Sequence, residues 1–96
     1  MSDLISEEEL PTFMKKVPEW ELNADSTAVL RELEFEDFME AIDFVNDVAE
    51  IAEEAQHHPD IEVRYNRITL SLTTHDVGGI TEPDFQMAQR IDTLRD

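Results

Sequence analysis

Apolar and polar residues recur along these 96 residues with a period that switches between helical and strand spacing. Ser6-Glu7-Glu8-Glu9 has the form of a capping box, and Leu10, Met14 and Val17 follow at helical spacing. A first helix is therefore expected, with Pro11 tolerated in its opening turn and Pro18 as its stop. Residues 19–22 and 28–35 read as two strands around the turn-rich Asn23-Ala24-Asp25-Ser26. In the second, Val29, Arg31, Leu33 and Phe35 share one face and Leu30, Glu32, Glu34 and Glu36 the wetter one, as in an antiparallel sheet.

The longest element is a predicted helix over residues 36–55. Phe38, Ile42, Val45, Ala49 and Ala52 form one apolar stripe, and Ala41, Phe44, Val48, Ile51 and Ala55 form a second beside it. Together they exceed the single apolar face that a surface helix needs. One stripe can cover a sheet; the other is expected to meet a helix of a second subunit, unless the helix is sunk more deeply in its own domain. After Pro59, Ile61, Val63 and Tyr65 alternate with Glu62 and Arg64. Ile68, Leu70 and Leu72 alternate with Thr69, Ser71 and Thr73, giving a hairpin that turns near Asn66-Arg67. Thr81-Glu82-Pro83-Asp84 is a second capping box, and Met87, Ala88, Ile91 and Leu94 supply the apolar face of a closing helix. The order is α-β-β-α-β-β-α. The fold class is α+β: a four-stranded antiparallel sheet with three helices packed on one face, one domain over residues 1–96.

Composition narrows what such a domain can do. Lys and Arg number 7 against 24 Asp and Glu, for a net charge of −17. That field repels phosphate backbones and anionic lipid, so no nucleic-acid or membrane partner is expected. Carboxylate excess with so few lysines suits a salt-rich cytoplasm, where surface repulsion is screened, and nearly as well an acidic mesophile protein. No apolar run approaches the roughly 18 residues of a membrane span, and Met1–Glu9 lacks the basic and apolar regions of a secretory signal. With no cysteine there is no disulfide framework or thiolate chemistry. A cytoplasmic location is expected.

The three histidines carry the chemistry. His57 and His58 fall at the predicted end of the long helix, and His75 at the end of the last strand. A helix C-terminus and an acidic surround favour imidazolium, the form a general acid needs. Histidines at that position also serve as plain helix caps. Three histidines can hold zinc, but adjacent helical residues point about 100 degrees apart and converge poorly on one ion. Glu53 precedes His57 by four residues and is placed to orient it, or to be solvated. Strand alternation puts His75 in phase with Thr73 and Ser71, away from the core. Either the strand end twists it into a cleft with the other two, or the pocket lies on the uncovered sheet face.

The spacing resembles that of a known family. Glu53-Glu54-Ala55-Gln56-His57-His58-Pro59, then five residues to Tyr65, nine to His75 and eight to Asp84, is similar to the signature of the pterin-4a-carbinolamine dehydratases. Pro18-Glu19-Trp20, Phe35-Glu36-Asp37-Phe38, Tyr65-Asn66-Arg67 and Leu72-Thr73-Thr74-His75-Asp76 extend the resemblance over nearly the whole chain. The resemblance implies dehydration of a 4a-hydroxytetrahydropterin, the product left by aromatic amino-acid hydroxylases, to the quinonoid dihydropterin. It assigns His57 and His75 as general acids from the two faces of the ring, and His58 as the residue that holds the pterin and assists proton movement. Gln56, Thr73 and Thr74 would line the pocket. Asp84 would tune the histidines, beside its cap with Thr81. No metal or organic cofactor is implied, and a homodimer or dimer of dimers is. One position departs: Ile61 stands where many members carry an aromatic residue. A non-catalytic module binding a protein through the long helix, and a dehydratase of another pterin, such as one from molybdenum-cofactor metabolism, are the alternatives.

Overall fold

The structure, a computed structural model, describes residues 4–95. Met1–Asp3 of the acidic lead-in and Asp96 lie outside that range. The elements are α1 (Leu10–Met14), β1 (Glu21–Leu22), β2 (Val29–Glu34), α2 (Phe38–Ala55), β3 (Asp60–Arg64), β4 (Arg67–Leu72) and α3 (Glu82–Thr93), with a 3-10 turn at His75–Val77. This is the α+β order read from the sequence. The sheet is antiparallel throughout, in the order β1-β2-β4-β3, and the three helices cover one face.

The register explains which face is covered. Val29 pairs with Leu72 and Leu33 with Ile68, all buried, while Glu32 pairs with Thr69 on the open side. These chains meet Ala41, Phe44, Val48 and Ala52 of α2 and Phe85, Met87, Ala88 and Ile91 of α3 in one core. Arg31 shares the covered face with Val29 and Leu33, which alternation alone would give to an apolar residue. Its guanidinium pairs with Asp92 of α3, and the indole N–H of the buried Trp20 donates to the same carboxylate oxygen at 2.8 Å. The polar ends thus satisfy one another at the edge of the core.

Several boundaries differ from the sequence-based expectation, each for a local reason. The Ser6 hydroxyl accepts from the Glu9 N–H and donates to the Glu9 carboxylate, which closes a turn rather than a full capping box, and α1 proper is only five residues, Leu10–Met14. β1 is cut to two residues because the Asn23 side chain captures the N–H groups of Thr27 and Ala28 at 2.8 and 3.1 Å. α2 begins at Phe38, since Asp37 is extended and its carboxylate caps the Glu40 N–H at 2.8 Å. The hairpin turns at Tyr65-Asn66, one residue earlier than expected, with Tyr65 at φ +54° and Arg64 opposite Arg67.

The two stripes of α2 divide differently from a simple split. Ala41, Phe44 and Val48 of the second stripe and Ala52 of the first are buried in the domain, and Ile51 is half-buried. Phe38 at 44% and Met39 at 65% exposure, with the half-buried Ile42, lie on the outer side of the helix, while the half-buried Val45 packs against the core.

Candidate active site

The helix ends before the histidine pair. Gln56 takes the left-handed conformation at φ 54° and ψ 40°, and its N–H and that of His57 satisfy the carbonyls of Glu53 and Ala52. The Gln56 amide adds a 2.6 Å bond to the Glu53 carbonyl. The reversal carries His57 and His58 off the helix into the loop before β3, rather than into its last turn as expected. Neighbouring residues are consequently freed from the helical angle between them.

His57 turns inward. Its side chain is 19% exposed, and Nε2 lies 2.5 Å from Oδ1 of Asp84, a fully buried carboxylate at the start of α3. The other Asp84 oxygen accepts from the Thr81 N–H and the Thr74 hydroxyl, both at 2.9 Å. Asp84 thus completes the α3 capping box with one oxygen and holds His57 with the other. Thr74 also shares a 2.6 Å hydrogen bond with the Thr81 hydroxyl. Four polar side chains from three segments therefore satisfy one another below the surface.

His58 stays at the rim, with Nε2 2.5 Å from Glu53 Oε2. The expectation that Glu53 serves His57 is corrected: after the left-handed residue the i to i+4 relation no longer holds, and the pair formed is five apart. β4 stops at Leu72, so His75 does not end the strand as expected. It opens the 3-10 turn that Gly78 closes at φ +69°. Thr73 anchors the start of this loop by donating to the Thr27 carbonyl at 2.6 Å.

The outcome is one open pocket of about 220 Å³ lined by Gln56, His57, His58, Thr73, Thr74, His75 and Asp76. The two distant stretches meet, and the turn after β4 is what brings His75 to the others. Ile61 stands on β3 opposite Leu70 and is not among the lining residues. Among the described residues no three His, Cys, Asp or Glu side chains converge as a metal cage. A second hollow of about 240 Å³ shares His57 and is lined by Ala55, Pro83, Gln86, Met87 and Arg90. No motif in the sequence announces this hollow, which forms only where α3 packs beside the end of α2. Asp76 was missed as a lining residue, since strand alternation does not describe a 3-10 turn.

Known proteins share this sequence pattern and this fold. The family model of pterin 4 alpha carbinolamine dehydratase matches residues 3–94. A curated protein of Picosynechococcus sp., provisionally named a pterin-4-alpha-carbinolamine dehydratase, is 44% identical over 94 residues, covering 98% of this chain and 100% of its own. One of Gloeobacter violaceus with the same provisional name is 53% identical over 83 residues, 84% of this chain and 90% of its own. The crystal structure of a transcriptional coactivator/pterin dehydratase from Brucella melitensis superposes with a TM-score of 0.93 at 30% identity, covering 98% of this chain and 100% of that one. A pterin dehydratase-like protein described as a RuBisCO assembly factor in the alpha-carboxysome shares the fold, with a TM-score of 0.66 at 21% identity, over 78% of this chain and 87% of that one. The chain belongs to the pterin-4-alpha-carbinolamine dehydratase family.

Proposed function

We propose that this protein is a cytoplasmic hydro-lyase that removes water from a 4a-hydroxytetrahydropterin to give the quinonoid dihydropterin, recycling the pterin that an aromatic amino-acid hydroxylase leaves behind. The observation that carries the proposal is the gathering of His57, His58 and His75 around one pocket. The reaction is an elimination: the bond from C4a to the hydroxyl breaks, a proton joins the hydroxyl to make water, and the N5 proton is lost. It needs proton transfers alone, which a set of imidazoles supplies.

The proposed roles follow the hydrogen bonds. Asp84 engages Nε2 of His57, which leaves Nδ1 as the ring nitrogen that serves a bound molecule. An imidazolium there can give its Nδ1 proton to the departing hydroxyl and remain as the Nε2–H tautomer, still bonded to Asp84. His75 acts from the opposite side of the ring on a more exposed segment. His58, held at the rim by Glu53, positions the pterin and assists removal of the N5 proton. Gln56, Thr73 and Thr74 offer amide and hydroxyl groups to the ring edge. The outer side of α2, with Phe38 and Met39 exposed, supports assembly of the subunit into a homodimer or dimer of dimers.

That outer face also favours a second reading, a non-catalytic module that binds another protein through α2. The two separate in one assay. Synthetic 4a-hydroxytetrahydropterin is added and quinonoid product is followed by absorbance. An acceleration that falls about a hundredfold or more in His57→Ala, within the range general acid–base help supplies, supports the enzyme. His58→Ala should weaken binding and slow turnover. No acceleration over buffer supports the module.

A further inference from the structure

The geometry points to the segment Leu4–Ile5 as a strap that holds the loop of residues 74–81, and through it His75, in place; this deepens the dehydratase reading and rests on it. The loop is closed at its base by the bridge between Thr74 and Gly79, with Thr74 N–H donating to the Gly79 carbonyl at 2.7 Å. His75 and Asp76 ride on its exposed outer part, while Ile80 and Thr81 are buried where it re-enters the core. Thr81 leads directly into the Thr74, Asp84 and His57 network. The base of this loop is therefore the junction at which both histidine placements are set.

Leu4 and Ile5 lie across that junction. The Ile5 N–H donates to the Ile80 carbonyl at 2.9 Å, and the Ile5 side chain packs on the core. Leu4 occupies the space that a side chain on residue 79 would fill: a Cβ built on Gly79 would stand 2.6 Å from Leu4 Cδ2. Gly78 is needed for its positive φ, whereas Gly79 is needed for the close approach of the strap. Neither Ile5 nor Gly79 lines the pocket, so both are positioning residues.

Two comparisons test this. Ile5→Pro removes the N–H and Ile5→Ala keeps it while trimming the same side chain, so their difference isolates the tie to Ile80. Gly79→Ala pushes Leu4 aside; because the Leu4 side chain is half exposed and can swing out, this variant folds even if Ile5→Pro does not. Imidazole proton–nitrogen spectra are recorded for each variant, with pterin turnover alongside. The expected result is a shifted or broadened His75 signal in Ile5→Pro and Gly79→Ala, with His58 unmoved because its partner is Glu53 on α2. The kcat should fall by about tenfold, inside the roughly hundredfold that ångström-scale misplacement costs, with KM changing less. Unchanged His75 signals in both variants, or equal changes in all three histidines, overturn the strap. The spectra need no substrate. A His75 signal that moves as expected in the variants of a parent protein that does not accelerate dehydration would therefore sink the enzymatic reading and leave the strap standing.

Discussion

Asp84 is where folding and the proposed chemistry share one side chain. Its Oδ2 caps α3 through the Thr81 N–H and its Oδ1 holds His57. Substitutions can separate the two jobs. In Asp84→Asn the amide oxygen can keep the cap, but the amide nitrogen then faces His57 as a donor and forces the other tautomer. Asp84→Ala loses both, including a cap worth about 1 kcal/mol, and leaves the Thr74 hydroxyl and the Thr81 N–H without their buried acceptor. The expected outcome is a near-parental melting temperature for Asp84→Asn with kcat down by tenfold or more, within the ~10²–10⁴ range of acid–base help, and a clear loss of stability only in Asp84→Ala. Calorimetry beside the pterin assay checks it; parental kcat in Asp84→Asn would show that His57 needs no oriented partner. At this scale the three histidines stood out in the sequence by their places near element ends, while the pocket threonines and the histidine-tuning role of Asp84 came only with the family resemblance. The partner of each histidine was not legible. That pairing turns on Gln56 at φ 54°, a conformation usually given to glycine, and no composition rule announces it in glutamine.

For α2, periodicity predicted the element and its excess of apolar surface, but not which side faces inward. Two neighbouring stripes of similar hydrophobicity are indistinguishable until the sheet is in place; the register that buries Leu33 and Ile68 then selects Ala41, Phe44, Val48 and Ala52. Strand alternation failed for a related reason at His75, where the ladder ends at Leu72 and a 3-10 turn takes over. The assignment decides which mutations report on assembly. Phe44 belongs to the subunit's own core, so Phe44→Glu should unfold the domain, as even truncation of a buried phenylalanine costs about 3–5 kcal/mol. Ile42 is half-buried beside the exposed Phe38 and Met39. Ile42→Glu should therefore leave circular dichroism unchanged while lowering the mass seen by light scattering to that of a smaller species. A mass equal to the parent's, in a folded variant, would remove α2 from the assembly.

Across the whole molecule the dominant fact is charge: 24 acidic residues against 7 lysines and arginines. Among the described residues only three arginines pair with a carboxylate, Arg31 with Asp92, Arg64 with Glu62 and Arg90 with Glu54. Most acidic side chains therefore face water with like charges as neighbours. Two such charges ~10 Å apart repel by about 0.4 kcal/mol in unscreened water, and folding concentrates many of these pairs on a small surface. The Debye length shrinks from about 30 Å at ~0.01 M salt to about 3 Å at ~1 M, which silences nearly all of them. The three arginine pairs weaken too, but two of them are largely exposed and contribute at most about 1 kcal/mol each. Repulsion outnumbers attraction, so sodium chloride should raise the urea midpoint steadily across that range. Chloride is the right anion, since sulfate would also strengthen apolar burial by exclusion. A midpoint that stays level or falls would mean that these carboxylates are spaced widely enough not to feel one another. An uncharged pterin would be indifferent to the same field, so KM should hold nearly constant while stability climbs, separating the role of the surface from that of the pocket.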